Sequence, residues 1–137
     1  MKKLLYALAF LLILGIGAYV AFLNVPQDST KGKEAAMQLG ATSLFAEYEK
    51  NEKKADKKFI GKIMDIEGRI MGLEKDEAGK GVVILDSGNG MDGIMCTLED
   101  SETKKMAGLK EGQSIKIRGK CAGKMMDVVF NKCLLLE

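Results

Sequence analysis

The sequence contains no histidine and no tryptophan. Without histidine, the commonest general base and the commonest metal ligand are both missing. G-x-S-x-G, a phosphate-binding loop, C-x-x-C and H-E-x-x-H are absent as well, so the chain reads as no enzyme, with no cofactor and no metal. Acidic pairs do occur, Glu99 with Asp100 and Asp86 near Asp92. They fall in turns and at a helix start, where carboxylates cap exposed amides. The stretch Asp86-Ser87-Gly88-Asn89 offers oxygen ligands without the spacing or closing Glu of a calcium loop. Met91, Met95, Met125 and Met126 offer thioethers for a soft metal. Gap-filling in the core is the more ordinary use of such residues.

Net positive charge is also missing once the chain is divided. Removing Lys2 and Lys3 from the 21 basic residues leaves 19 against 19 acidic ones, a net of zero. A nucleic-acid binder normally carries a basic surface, because phosphate neutralisation supplies much of its affinity. Neutrality, together with strands that offer only Phe59 and Phe130 for stacking, weighs against nucleic acid.

Charge is absent altogether from Leu4 to Leu23, twenty consecutive positions. As a helix at about 1.5 Å per residue, that run spans roughly 30 Å, the hydrocarbon thickness of a bilayer. The lysines precede it, which predicts a cytoplasmic amino terminus and an exported remainder. Its end, Tyr19 to Leu23, lacks an A-x-A cleavage pattern, so an uncleaved signal anchor is expected. The expected organisation is an anchor over residues 1–25, a flexible tether over 26–40 and one domain over 41–137. In a bacterium that makes it a single-pass inner-membrane protein with a periplasmic domain.

The tether carries Pro26, Gln27, Asp28, Ser29 and Thr30 and no apolar periodicity, with at most a helical turn at Ala35 to Leu39. Thr42 and Ser43 signal a helix start, followed by Leu44, Phe45 and Tyr48 on one face. Asn51 interrupts it, and Ala55 and Phe59 return to the core from a lysine-rich, solvated continuation. Strands follow around Ile63 to Leu73, at Gly81 to Leu85 and at Met91 to Leu98. Met106 and Leu109 then switch to helical spacing. Ser114 to Cys121 alternates, Ala122 to Lys124 turns, and Met125 to Leu136 closes as a buried strand.

The content is mainly β, α+β by count: an N-terminal amphipathic helix, three strands, a helix, and two strands. Five short strands with a helix between the third and fourth is the order of an OB-fold barrel. Gly68 and Gly119 sit mid-strand, where a small barrel bends sharply.

The residues Ser43-Leu44-Phe45-Ala46-Glu47-Tyr48, Asn51, Gly61-Lys62, Glu67-Gly68, Cys96, Gly119-Lys120-Cys121-x-Gly123 and Met126-Asp127-Val128-Val129 to Asn131-Lys132-Cys133 resemble the bacterial exported OB-fold family called tRNA-anti-like. The resemblance covers residues 41–136. It implies the fold and export but no assigned activity, so no catalytic residue is carried over, and the family name records a fold similarity without establishing tRNA binding.

Three cysteines, Cys96, Cys121 and Cys133, would meet an oxidising compartment if exported. A hairpin turning at Ala122 to Lys124 sets Cys121 opposite Met126, with Cys133 seven residues further, roughly 23 Å away, so those two should not pair. The third and fifth strands of an OB barrel are neighbours, which makes Cys96 and Cys133 the candidate disulfide. Three small apolar core residues are the alternative.

The function expected is a non-catalytic, membrane-anchored binding or adaptor module for an envelope protein, peptide or glycan. Its candidate surface is Lys116, Arg118, Lys120 and Lys124 with the loops Glu74 to Gly81 and Asp86 to Gly90. The alternatives are single-stranded nucleic-acid binding by analogy of fold, and an envelope stress or stability protein whose partner is the membrane or a second copy.

Overall fold

The computed structural model describes residues 1–23 and 29–136. The apolar run forms α1, Lys2–Leu23, with no buried residue and a mean hydropathy of 2.4 over its most apolar window. It is long and apolar enough to cross a membrane.

The next described element is a short strand, β1 (Met37–Gly40), followed by helices α2 (Ala41–Lys50) and α3 (Glu52–Phe59). The N-cap of α2 is Gly40 and no side chain caps it, so the Thr42-Ser43 start signal lies within the first turn. Ala41, Leu44, Phe45 and Tyr48 are buried, on the face that the apolar spacing indicates. Asn51, extended at φ −162°, ends α2 and caps α3 by accepting a 3.1 Å hydrogen bond from the Lys54 amide. From α3, Ala55 and Phe59 reach the core.

The remaining strands are β2 (Ile63–Lys75), β3 (Gly81–Asp86), β4 (Gly93–Leu98), β5 (Ser114–Lys124) and β6 (Val128–Leu136). β2 pairs antiparallel with β3, β3 with β4, β5 with β6, and β5 again with β2, while β4 and β6 run parallel. That circuit closes a five-stranded mixed barrel, which is an OB-fold. Alternation fills it: along β5 every second residue from Ile115 to Gly123 is buried. Phe59, Met64, Ile66, Leu85, Ile94, Leu98 and Phe130 are at most 1% exposed, each worth roughly 1.5–3 kcal/mol relative to exposure.

The mid-strand glycines serve close approach. A Cβ on Gly68 would stand 2.9 Å from that of Ala41, where α2 crosses the barrel, and one on Gly119 would stand 2.6 Å from Cys133 Sγ.

Three expectations need correction. The tether reading over 26–40 fails for residues 29–40; residues 26–28 lie outside the described ones. Met37–Gly40 pairs with Met64 to Glu67 in parallel, on the stretch of β2 that β3 leaves uncovered, because β3 reaches only from Ile70 onward. Backbone groups on that exposed edge require partners. The helix expected from Glu99 to Leu109 is a four-residue α4, Asp100–Thr103, continued by a 3₁₀ turn, Lys104–Gly108. The last hairpin turns after Lys124, so that Cys121 faces Phe130 and not Met126.

Candidate functional site

Residues 29–36 form a strap along the barrel. The Glu99 carboxylate accepts the Ser29 hydroxyl at 2.7 and 3.0 Å and the Thr30 amide at 2.7 Å, and Thr30 is 2% exposed. Further along, Arg118 donates Nε and Nη2 to the two Asp65 oxygens at 2.7 and 3.0 Å and Nη1 to the Lys33 carbonyl at 3.1 Å. These hydrogen bonds to the Asp65 carboxylate push the Arg118 pKa up. The Ala36 amide then donates to Ile63 O at 2.7 Å, leading into β1.

These contacts change the standing of the basic residues singled out on β5. Lys116, Arg118 and Lys120 do share the outer face, opposite Glu67, Asp65 and Ile63 on β2. Arg118, however, is held in the strap. Lys124 lies at the strand end with Nζ 4.9 Å from the Phe45 ring centre, a cation–π contact within the fold.

The outer face of β3 and β4 has a different chemistry. Val82 pairs with Thr97 and Ile84 with Met95, while the alternate residues Val83, Leu85, Ile94, Cys96 and Leu98 point into the core. Gly93 keeps this face tight. A Cβ there would stand 2.6 Å from Ile84 Cγ2 and 3.2 Å from Met71 Cε. The result is an aliphatic and thioether strip, Met71, Val82, Ile84 and Met95, with no aromatic and no cationic side chain on β3 or β4.

At one end the strip runs into a groove of about 410 Å³ lined by Ser29, Lys80, Thr97, Glu99, Asn131 and Lys132, among others. Lys132 is the one non-glycine residue with positive φ, 53°, among the described residues, and it marks a break in the β4–β6 register. At the other end, the turns after β3 and β5 are tied by a 3.0 Å hydrogen bond from the Gly93 amide to Asp127. Met91, Met125 and Met126 there are 87%, 89% and 84% exposed. Of the acidic residues, Asp86 caps a turn by accepting the Gly88 amide at 2.8 Å and Asp92 accepts the Asn89 side chain Nδ2 at 2.9 Å, whereas Glu99, the N-cap of α4, makes no side-chain cap and holds the strap instead. No cluster of three His, Cys, Asp or Glu residues suited to a metal ion occurs among the described residues.

All three cysteines are buried free thiols. Cys121 Sγ lies 3.6 Å from the Tyr48 hydroxyl, and burial raises the pKa of both groups. Complete burial, and to a lesser degree the neighbouring Cys96, pushes the Cys133 pKa well up.

The strap and the left-handed Lys132 are the features that sequence reasoning missed. Glu99 is about seventy positions from Ser29, and no local pattern announces such a pairing.

No curated protein matches the chain. Among solved structures, a Klebsiella pneumoniae lipoprotein proposed to bind nucleic acid superposes with a TM-score of 0.61 at 16% identity, covering 73% of this chain and 91% of that one. An S. pombe Stn1–Ten1 complex gives 0.43 at 21% identity, with coverages of 55% and 58%. An OBody bound to hen egg-white lysozyme gives 0.46 at 17% identity, with coverages of 58% and 86%. At these identities the likeness is one of fold, and only the first superposition is close enough to carry even that. The tRNA_anti-like family profile matches residues 1–135, nearly the whole sequence, and the chain belongs to that family.

Proposed function

We propose that this protein is a non-catalytic binding module of the bacterial cell envelope, anchored through α1 in the inner membrane with its barrel on the periplasmic side. Lys2 and Lys3 ahead of α1 favour that orientation. The ligand is a protein segment, peptide or glycan taken up along β3 and β4, the face OB-folds commonly use.

The observation that carries this reading is the composition of that face. Single-strand binders combine cationic grooves with aromatic platforms, and the strip of Met71, Val82, Ile84 and Met95 supplies neither. The Klebsiella lipoprotein favours the second reading, single-stranded nucleic acid, and the two separate in one experiment. The full chain in detergent is titrated with fluorescent 15-nucleotide DNA and RNA at 50 and 200 mM salt. In parallel, a photocrosslinking residue at position 97 is activated in intact cells. The expectation is no salt-dependent oligonucleotide binding and a discrete crosslinked adduct that disappears in Met95→Lys. Binding that weakens with salt in the manner of phosphate neutralisation would establish the nucleic-acid reading instead.

A further inference from the structure

Barrel closure depends on β4 and β6, the parallel pair, and the ladder between them is broken. Ile94, Met95 and Cys96 pair with Val128, Val129 and Phe130, but the next pair is Leu98 with Cys133. Three residues of β6 therefore span the step that two residues of β4 take. In a regular strand, residues three apart face opposite sides, so Phe130 inside would put Cys133 outside. Lys132, in the left-handed region at φ 53°, turns the chain and brings Cys133 back inside, fully buried. That conformation is unfavourable for a lysine, and its result is to bring Cys133 into the core cluster that holds Cys96.

Both sulfurs are accommodated there. Cys96 and Cys133 are each 0% exposed and belong to one core cluster. Gly119 on β5 leaves the space that Cys133 Sγ fills, with 2.6 Å to the position a Cβ would take. Cys121 is engaged elsewhere, beside Tyr48.

We propose that Cys96 and Cys133 close a disulfide across the broken β4–β6 seam by exchange with an external disulfide, leaving Cys121 as the remaining thiol. One cysteine thiolate attacks the oxidant's disulfide to give a mixed disulfide and release one thiol. The second cysteine thiolate then displaces the oxidant's other half, so two protons and two electrons leave the pair and one external disulfide becomes two thiols. Both sulfurs are fully buried and out of reach in the closed barrel, so exchange takes place while the barrel is still forming or has opened. The bond staples the seam beneath the groove, since Thr97, Leu98, Asn131 and Lys132 line the groove directly beside the two cysteines.

The test requires no assumption about where the protein resides. Full-length protein in detergent is reduced, unfolded, and refolded in a mixture of oxidised and reduced glutathione. It is then quenched in acid, denatured and treated with N-ethylmaleimide, and its intact mass and tryptic peptides are read. One maleimide adduct per chain and a Cys96–Cys133 linked peptide are expected. The bridge should also form at least tenfold more favourably under refolding conditions than in guanidinium at the same glutathione ratio. Three adducts after refolding, a linked peptide that includes Cys121, or equal bridging in guanidinium would each overturn the proposal.

Discussion

Gly119→Ala probes the same seam from the opposite strand, under reducing conditions. Its new Cβ would stand 2.6 Å from Cys133 Sγ, with Phe130 Cβ and Asn131 O both at 3.4 Å. The sulfur is buried and must retreat by about 1 Å into a packed interior, which costs roughly 1–3 kcal/mol. Replacing a mid-strand glycine returns roughly 0.5–1 kcal/mol of conformational entropy. The balance is a net loss of about 0–2.5 kcal/mol. Cys133→Ala removes the sulfur and costs about 1–2 kcal/mol through lost burial and a cavity. In the double variant the new methyl occupies the space the sulfur vacated. The two changes should therefore couple favourably by at least about 1 kcal/mol. Urea unfolding of the full chain in non-ionic detergent with reductant, followed by circular dichroism, measures all four corners of the cycle. Additivity within about 0.5 kcal/mol, or a Gly119→Ala variant more stable than the parent, would refute the packing account.

Alkali should destabilise the barrel before it affects surface charges. Burial raises the pKa values of Cys121, Cys133 and Tyr48 in the folded state, so their contribution is complete below the unfolded values and is lost as pH rises past them. Unfolding free energy should fall by up to about 1.4 kcal/mol per pH unit per thiol above about pH 8.5, with Tyr48 joining above about pH 10; a flat profile from pH 8 to 10 would contradict the burial of the thiols. Asp65→Ala leaves the Arg118 fork unpaired and should cost about 1–3 kcal/mol, read as a drop of several degrees in melting temperature. Glu99→Ala releases Ser29 and Thr30 and should speed tryptic cleavage after Lys31 and Lys33 by about 5–30-fold, with little change in overall melting temperature. Met95→Lys should leave unfolding within about 0.5 kcal/mol of the parent while abolishing the crosslink from position 97.

Much of the barrel was readable because its strands alternate. The β5 pattern of Ile115, Ile117, Gly119 and Cys121 inside is the one that periodicity predicts, and the strand order with its intervening helix indicated the fold. The glycines at 68 and 119 were recognised as special, although their reason turned out to be contact with Ala41 and Cys133 as well as bending. What escaped was non-local. Residues 29–40 carry few apolar side chains, so nothing in their pattern reveals that Glu99, Arg118 and the open edge of β2 bind their backbone. The basic residues of β5 read as a free surface for the same reason: the carboxylate that holds Arg118 lies 53 positions away. The inward turn at Lys132 has no signature either, since lysine is an ordinary residue in an unusual conformation.

The hydrogen bonds at Glu99 also set the length of a leash. Only residues 24–28 separate the last residue of α1 from Ser29, and six chain steps extend to at most about 20 Å. A barrel moored through α1 therefore cannot swing far from its own anchor. With α1 in a bilayer, the rim of the barrel around Glu99 stays within about 20 Å of the helix end, and the methionine-tipped turns at the opposite rim are the part able to meet partners approaching from farther away.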